Sequence, residues 1–305
     1  MFRFRKARQG SQREKLLREL AQIDLYTRRI AGRARFGDYR SKLLGQGLDF
    51  VEHKKYSPGE DYRQIDWNVL ARSRQAYVKI HHTEKELAVF LVADLSGSME
   101  QGNSRLSKRQ VLLEAAATIA FSAARSNMSV GLVGGTTKVD VYLRPRKRVR
   151  QAWRVVDALL ESSPQTRETN MEELVRFAAS KLKQPSMLFI LSDFIGAEQF
   201  LQQSPLAYIA HHHDVIPVLI EDQLERKWPV LHGYLRLRDL ETSDQDILSL
   251  TRDNCRELQS QMAERRSRIR SSFLRLGIIP VVLTTDTSSR KILMEYFLRR
   301  KKHHR

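Results

Sequence analysis

The chain has 305 residues, of which 41% are hydrophobic and 29% charged, a composition that is typical of globular proteins and excludes a disordered chain. A single cysteine, Cys255, excludes an intramolecular disulfide and a cysteine-rich metal site. The net charge of +18 is concentrated at the ends, with 13 Lys or Arg against 4 Asp or Glu in residues 1–45 and five Lys or Arg in residues 299–305.

These basic ends suit an acidic protein face, nucleic acid or anionic lipid, although solvated charged segments are the simpler interpretation. Residues 1–6 have no apolar stretch behind them, so we expect no signal peptide. The longest apolar run, residues 87–93, is much shorter than the roughly 20 residues of a membrane-spanning helix. The sequence therefore predicts a cytoplasmic protein without a transmembrane segment.

The N-terminal third has two different patterns. Apolar residues recur at helical spacing over residues 11–31, with Arg and Lys between them, which predicts a basic amphipathic helix. Residues 45–80 are punctuated by Gly and Pro, which predicts short extended segments, one of them at residues 77–80.

From residue 87 onward, apolar strands alternate with helices. The predicted strands are residues 87–94, 128–133, 138–143, 187–192, 215–220, 234–237 and 278–283. The predicted helices are residues 106–125, 149–160, 171–182 (capped by Asn170), 198–210, 248–276 with a break near 252–254, and 288–300. This alternation predicts an α/β, Rossmann-like domain with a mostly parallel sheet flanked by helices, preceded by a helical and extended N-terminal region.

Two of the predicted strands end in Asp, and ligands of such sheets lie beyond the carboxyl ends of the strands. The first strand leads into Asp94, Ser96 and Ser98, the second into Asp193, and Thr169 precedes a helix between them. If the three loops converge, they offer two carboxylates and three hydroxyls. These are hard oxygen donors that suit Mg²⁺, with Mn²⁺ or Ca²⁺ as alternatives, and do not suit zinc.

A metal held largely by neutral hydroxyls keeps part of its positive charge, so a partner's carboxylate could complete its coordination. That is a device for binding and not for catalysis. Metal-dependent hydrolysis is an alternative, but no His or Lys is evidently placed as a general acid or base, so we predict that the protein is not an enzyme. A purely structural Ser-rich turn is the other alternative for residues 94–98.

Asp94-x-Ser96-x-Ser98, Thr169 and Asp193 resemble the metal-ion-dependent adhesion site of von Willebrand factor A domains, over roughly residues 85–300. The resemblance implies that these five residues bind the metal, and that the fold is a von Willebrand factor A-type domain. It divides the chain into an N-terminal region (residues 1–84), the domain itself (residues 85–300) and a basic tail (residues 301–305).

The upstream sequence resembles the hallmark block of the bacterial family called domain of unknown function 58. The matching segments are Gly47-Leu48-Asp49-Phe50, Tyr56-Ser57-Pro58-Gly59-Glu60-Asp61-Tyr62-Arg63-Gln64-Ile65-Asp66-Trp67 and Ala71-Arg72. Glu60 departs from the family, which more often has Asp there. Members are commonly linked with MoxR-type AAA+ ATPases, so the resemblance implies a metal-dependent adaptor or co-chaperone of such an ATPase.

Two hypotheses remain open beside this one. Residues 58–72 are either a scaffold, with Asp61, Arg63, Asp66 and Arg72 pairing around Trp67, or a docking surface for the ATPase. The basic ends could bind nucleic acid or an anionic surface instead, although the rest of the chain is nearly neutral and has no recognised nucleic-acid motif.

Overall fold

The computed structural model describes residues 53–57, 67–73, 75–79, 88–102, 106–164, 166–197, 200–201, 204–226, 234–238, 245–249 and 251–302. The helix predicted over residues 11–31, the block at residues 47–50, residues 58–66 and the end of the tail lie outside the described residues. Contacts divide the chain into a small unit at residues 44–86 and a large unit that contains residues 87–305. The predicted boundary after residue 84 stays a prediction.

The strands, in chain order, are β1 (His53–Lys55), β2 (Tyr77–Lys79), β3 (Ala88–Asp94), β4 (Ser129–Gly135), β5 (Val139–Arg146), β6 (Met187–Ser192), β7 (Asp214–Glu221), β8 (Tyr234–Arg238), β9 (Gln245–Ser249) and β10 (Val281–Thr284). The helices are α1 (Trp67–Ser73), α2 (Lys108–Arg125), α3 (Val149–Glu161), α4 (Met171–Lys181), α5 (Ser204–His212), α6 (Gln223–Arg226), α7 (Arg252–Arg275) and α8 (Ser289–Lys302), with a 3₁₀ helix at Gly97–Glu100.

The large unit is built on a six-stranded sheet in the order β10-β7-β6-β3-β4-β5. All neighbouring strands are parallel except β5, which runs antiparallel to β4. The chain starts in the middle at β3, builds outward to β5, then returns to the other side of β3 with β6. The predicted α/β architecture with a mostly parallel sheet flanked by helices is therefore confirmed.

Both faces of the sheet are covered, because alternate residues of a strand point to opposite faces. Val89 and Leu91 of β3 belong to a core formed with α2, α3 and α8. Phe90 and Val92 belong to a second core, formed with α4, α5 and the end of α7. Burial on both sides explains why β3 is apolar throughout instead of alternating.

Capping residues mark the starts of two helices, α4 and α7, of which only the first was predicted correctly. The side chain of Asn170 accepts a hydrogen bond from the amide of Glu173, so the predicted cap of α4 is confirmed. The prediction of a helix from residue 248 is wrong, because residues 245–249 form β9 and pair with β8. The helix α7 begins at Arg252, where Thr251 caps it by accepting from the amide of Asn254.

The small unit contains a structure that the Gly and Pro pattern did not predict. β1 and β2 are short extended segments, as predicted, and they pair antiparallel with each other, but the chain between them includes the helix α1. Trp67, at its start, is 60% exposed. Asp61, Arg63 and Asp66, which were predicted to pair around it, lie outside the described residues, so this network stays a prediction. Among the helices that the structure describes, none is long and apolar enough to cross a membrane.

Candidate metal centre

Asp94 and Asp193 lie at the carboxyl edge of the sheet, on its two central strands. Asp94 is the last residue of β3, and Asp193 follows β6 directly. β3 and β6 are neighbours, with Ala93 opposite Leu191. The chain leads from β3 to β4 on one side of this pair and from β6 to β7 on the other side. The crevice between β3 and β6 is therefore a switch point, the place where doubly wound sheets bind ligands.

The carboxylate of Asp94 is buried and is the hub of a hydrogen-bond network. Its Oδ1 accepts from the amide of Ser96 at 2.9 Å and from Oγ1 of Thr169 at 3.4 Å. Its Oδ2 accepts from Oγ of Ser192 at 2.6 Å. Three donors from three separate segments of the chain, one amide and two hydroxyls, therefore meet at this carboxylate.

The two serines of the motif lie side by side. Ser96 is the residue before the 3₁₀ helix, Ser98 lies within that helix, and their Oγ atoms are 3.0 Å apart. The amide of Gly97 donates to the carbonyl oxygen of Arg167 at 2.8 Å. This bond ties the serine loop to the loop that carries Thr169, so the hydroxyls are positioned by backbone contacts.

Asp193 is held by different partners. Its Oδ1 accepts from the amide of Ile195 at 3.0 Å, and its Oδ2 accepts from Nζ of Lys108 at 2.8 Å. Phe194, between them, is fully buried and has a positive φ of 57°. Such a conformation is uncommon for a bulky side chain, and here it turns the chain so that the next amide reaches Asp193.

Lys108, the first residue of α2, is completely buried between two carboxylates. Besides Asp193, its Nζ contacts Oε1 of Glu225 on α6 at 2.5 Å. Burial lowers the pKa of Lys108, but the charges of Asp193 and Glu225 outweigh burial and leave that pKa above its usual range. A lysine that is held protonated in this way is not available as a general base.

Burial and the charge of Asp193 together raise the pKa of Asp94 to about 6, against the opposing hydrogen bonds from Ser192 and Ser96. Burial likewise raises the pKa of Glu225, against the attraction of Lys108. Acidic groups with raised pKa values at the carboxyl edge of a sheet are candidates for a functional site, and structural ion pairs such as Lys108–Glu225 shift pKa values as well.

The donor set fits a hard divalent cation. Adjacent oxygens around an octahedral Mg²⁺ ion lie about 2.9 Å apart, and the pairs Ser96–Ser98 and Asp94–Thr169 are 3.0 and 3.4 Å apart. Among the described residues, no group of three or more His, Cys, Asp or Glu side chains could hold a metal ion. A metal here would therefore depend on hydroxyl oxygens as well as on the two aspartates.

The structure brings the five residues predicted for the site, Asp94, Ser96, Ser98, Thr169 and Asp193, to one edge of the sheet. Sequence reasoning missed three neighbours of theirs: Ser192, Lys108 and Glu225. Ser192 could have been suspected, since it immediately precedes Asp193. Nothing local marks Lys108, whose partner Asp193 is 85 residues away.

We expect the affinity for Mg²⁺ to fall about tenfold between about pH 7 and pH 5, because a carboxyl must lose its proton to bind a metal. The pKa of Asp94, about 6, sets this range. Titration calorimetry with MgCl₂ at several pH values measures the change. An affinity that stays constant over this range would show that protonation of Asp94 does not compete with the metal.

A family model decides the classification of the chain. The model described as "Protein of unknown function DUF58" matches residues 52–269. The chain belongs to this family. The matched span includes the strands of both units from β1 to β9, together with every residue of the candidate metal centre.

Two mycobacterial relatives, each described as an "Uncharacterized protein", match most of the chain. Proteins of Mycobacterium tuberculosis (strain ATCC 25618 / H37Rv) and Mycobacterium bovis are each 28% identical over 234 residues, which is 75% of this chain and 72% of the relative. Among solved structures, BatB from Bacteroides thetaiotaomicron and an aerotolerance-related membrane protein from Bacteroides fragilis are each 12% identical, with TM-scores of 0.40 and 0.41. Both comparisons cover 71% of this chain and 99% of the solved chain.

Proposed function

We propose that residues 85–300 form a von Willebrand factor A-type domain that binds a divalent cation, Mg²⁺ first, with Mn²⁺ or Ca²⁺ as alternatives. Asp94, Ser96, Ser98, Thr169 and Asp193 would hold the ion. The convergence of Ser96 and Thr169 on one buried oxygen of Asp94 supports this proposal most strongly. A structural turn would need the serines to bond within their own loop, but it would not need a hydroxyl from a loop 75 residues away.

The charges around the site favour an anionic partner group. The three hydroxyl donors are neutral, and Lys108 offsets much of the charge of Asp193 at a distance of 2.8 Å. A bound divalent cation would therefore keep a net positive character and would attract a carboxylate. The role that we assign to this site is the metal-dependent binding of another protein through an Asp or Glu side chain.

We further propose that the partner is a MoxR-type AAA+ ATPase, which would make this protein its adaptor or co-chaperone in the cytoplasm. Support for the partner comes from the family resemblance of residues 47–72. The site geometry supports only the class of ligand. The description of the protein as a binding module and not an enzyme stays a prediction, consistent with the protonated state of Lys108.

Ser98→Ala is the sharpest test of the site, because it removes one hydroxyl oxygen and leaves both aspartates in place. We expect Mg²⁺ affinity to fall about tenfold or more, while the melting temperature of the metal-free protein stays nearly unchanged. Calorimetric titration of Mg²⁺ and then of Mn²⁺ gives the affinities. Ser271→Ala is the matched control, since this residue is exposed on α7 and its hydroxyl donates to the carbonyl of Arg268, its one hydrogen bond within the described residues.

The same proteins are then tested for binding to a purified MoxR-type ATPase, with Mg²⁺ and with EDTA. The proposal requires that Ser98→Ala and EDTA both weaken this binding and that Ser271→Ala does not. Unchanged Mg²⁺ affinity in Ser98→Ala would overturn the metal site. Loss of metal binding without any loss of ATPase binding would overturn the role of the metal in recognition.

A further inference from the structure

A second concave site lies at the opposite edge of the sheet from Asp94. It is an open groove of about 810 Å³ between the end of α4, the loop that follows it, and α5. That loop leads into the start of β6 at Met187, and α5 leads into the start of β7 at Asp214. The groove is thus at the amino ends of the strands, and its volume is within the range of ligand sites.

The described lining of the groove carries basic groups and no acidic ones. Arg176 on α4, Lys183 in the loop and His212 and His213 at the end of α5 all line it. The guanidinium of Arg176 pairs with Glu172 one turn earlier on α4, at 2.8 Å, and remains 57% exposed. The positive charges of Arg176 and Lys183 therefore favour an acidic ligand, and the two histidines add ring N–H groups that can donate to it.

Its walls also carry apolar surface. Tyr208 is 67% exposed although it is large and aromatic, and its ring lies 4.4 Å from that of His212. Pro185 and Pro205 line the same groove. Exposed Tyr together with Arg is the combination that dominates binding energy at protein interfaces, because both side chains combine apolar area with polar groups.

His213 is the polar group whose hydrogen bonding is incomplete. It is only 8% exposed, and its Nδ1 is buried without a hydrogen-bond partner among the described residues. Burial, followed by the charge of His212, lowers the pKa of His213, so the ring is neutral at pH 7. His213 lines the groove, and a neutral imidazole has one ring N–H that can donate to a carboxylate.

We propose that this groove is a docking site for an acidic peptide segment of a protein partner, in which carboxylates meet Arg176, Lys183 and His213 and an aromatic or aliphatic side chain packs against Tyr208. The groove is open and lined by long, exposed side chains, which suits an extended segment better than an enclosed small molecule. This site is independent of the metal centre, so the protein would have two protein-binding sites on opposite edges of one sheet.

The test uses the full chain and three pools of terminally blocked dodecapeptides. The first pool is rich in Asp and Glu around one Trp or Phe, the second replaces the acids by Asn and Gln, and the third replaces the aromatic residue by Ala. Binding is measured by fluorescence anisotropy in EDTA and repeated with Asp94→Asn, so that the metal centre cannot capture the peptides. Labelled His Cε1 resonances report whether His213 is the site of contact.

We expect saturable binding of the first pool alone, with a shift of the His213 resonance. Lys183→Glu should weaken binding about fivefold, since it reverses one exposed charge, and Tyr208→Ala about tenfold, since it removes an interface aromatic residue. Lys291→Glu is the matched control, because this lysine is exposed on α8, which covers the opposite face of the sheet.

Several results would overturn the groove proposal. These are equal affinity for the acidic and amide pools, no saturable binding of any pool, and an effect of Lys291→Glu as large as that of Lys183→Glu. Binding that appears only after Mg²⁺ replaces EDTA would place the peptides at the metal centre and would also count against the groove. The main experiment is done without metal, so a negative result for the groove does not contradict the proposed metal centre. Equally, loss of the proposed metal centre would not contradict peptide binding in the groove.

Discussion

Asp94→Asn should make the metal-free protein more stable at neutral pH and should abolish any stabilisation by Mg²⁺. The carboxyl of Asp94 has a pKa raised from 3.8 to about 6, because it is buried beside the charge of Asp193. Its ionised form therefore costs the folded protein free energy at neutral pH. A shift of this size corresponds to about 3 kcal/mol, and we expect a gain of about 1–3 kcal/mol after local relaxation.

The asparagine can keep the hydrogen bonds of the wild type. Its carbonyl oxygen can accept from the amide of Ser96 and from Thr169, as Oδ1 of Asp94 does. Its amide group can donate to Oγ of Ser192, whose hydroxyl then rotates away. The substitution therefore removes a buried charge and a proposed metal ligand without opening a cavity.

Thermal denaturation in EDTA and in excess Mg²⁺ measures both parts of this prediction. The wild type should also gain stability in EDTA as the pH falls from about 6 to about 4, because the folded state binds a proton more tightly than the unfolded state in that range. Asp140→Asn on β5 is the control, since this aspartate is exposed. A lower melting temperature for Asp94→Asn in EDTA would show that its neighbours stabilise the charged form.

Lys108→Met should be the most destabilising single substitution near the site. It leaves Asp193 and Glu225 without their shared cation, and their side chains are only 2% and 13% exposed. Removing one partner of a buried ion pair costs about 3–5 kcal/mol, because the remaining charges are neither solvated nor paired. Urea denaturation at neutral pH measures this loss.

The origin of the loss can be tested with a second substitution and with pH. Lys108→Met combined with Glu225→Gln should recover part of the stability, since one of the two unpaired carboxylates is then neutral. The difference from the wild type should also shrink at acidic pH, where both carboxylates accept protons. Lys291→Met on α8 is the control, because its side chain is exposed. Equal losses in the single and double variants would contradict the role of Lys108 as a counter-charge.

Lys108→Met should raise the affinity for Mg²⁺ although it lowers the stability of the protein. The ammonium group holds Oδ2 of Asp193 at 2.8 Å and adds a positive charge next to the site. Its removal should therefore increase the affinity for Mg²⁺ in the fraction of molecules that is folded. A weaker affinity would mean that Lys108 is needed to orient Asp193.

Elements with strong local patterns could be predicted from the sequence. The apolar run of β3, the alternation of β5 and the Asn170 cap of α4 each depend on residues within one element. Predicted element boundaries were wrong where the local sequence pattern was weak, as at residue 248. Residues 245–249 become a strand only because β8 offers a pairing edge, and that pairing is not visible in the residues themselves.

The sequence by itself determined which donor groups the candidate site offers, since two acids and three hydroxyls follow strands or precede a helix. Only the tertiary structure decided that β6 lies beside β3, which brings Ser192 against Asp94. It also decided that α2 places Lys108 between Asp193 and Glu225. The physical reason is that these contacts depend on strand order and helix packing across long separations in sequence, whereas the motif residues carry their chemistry in any fold.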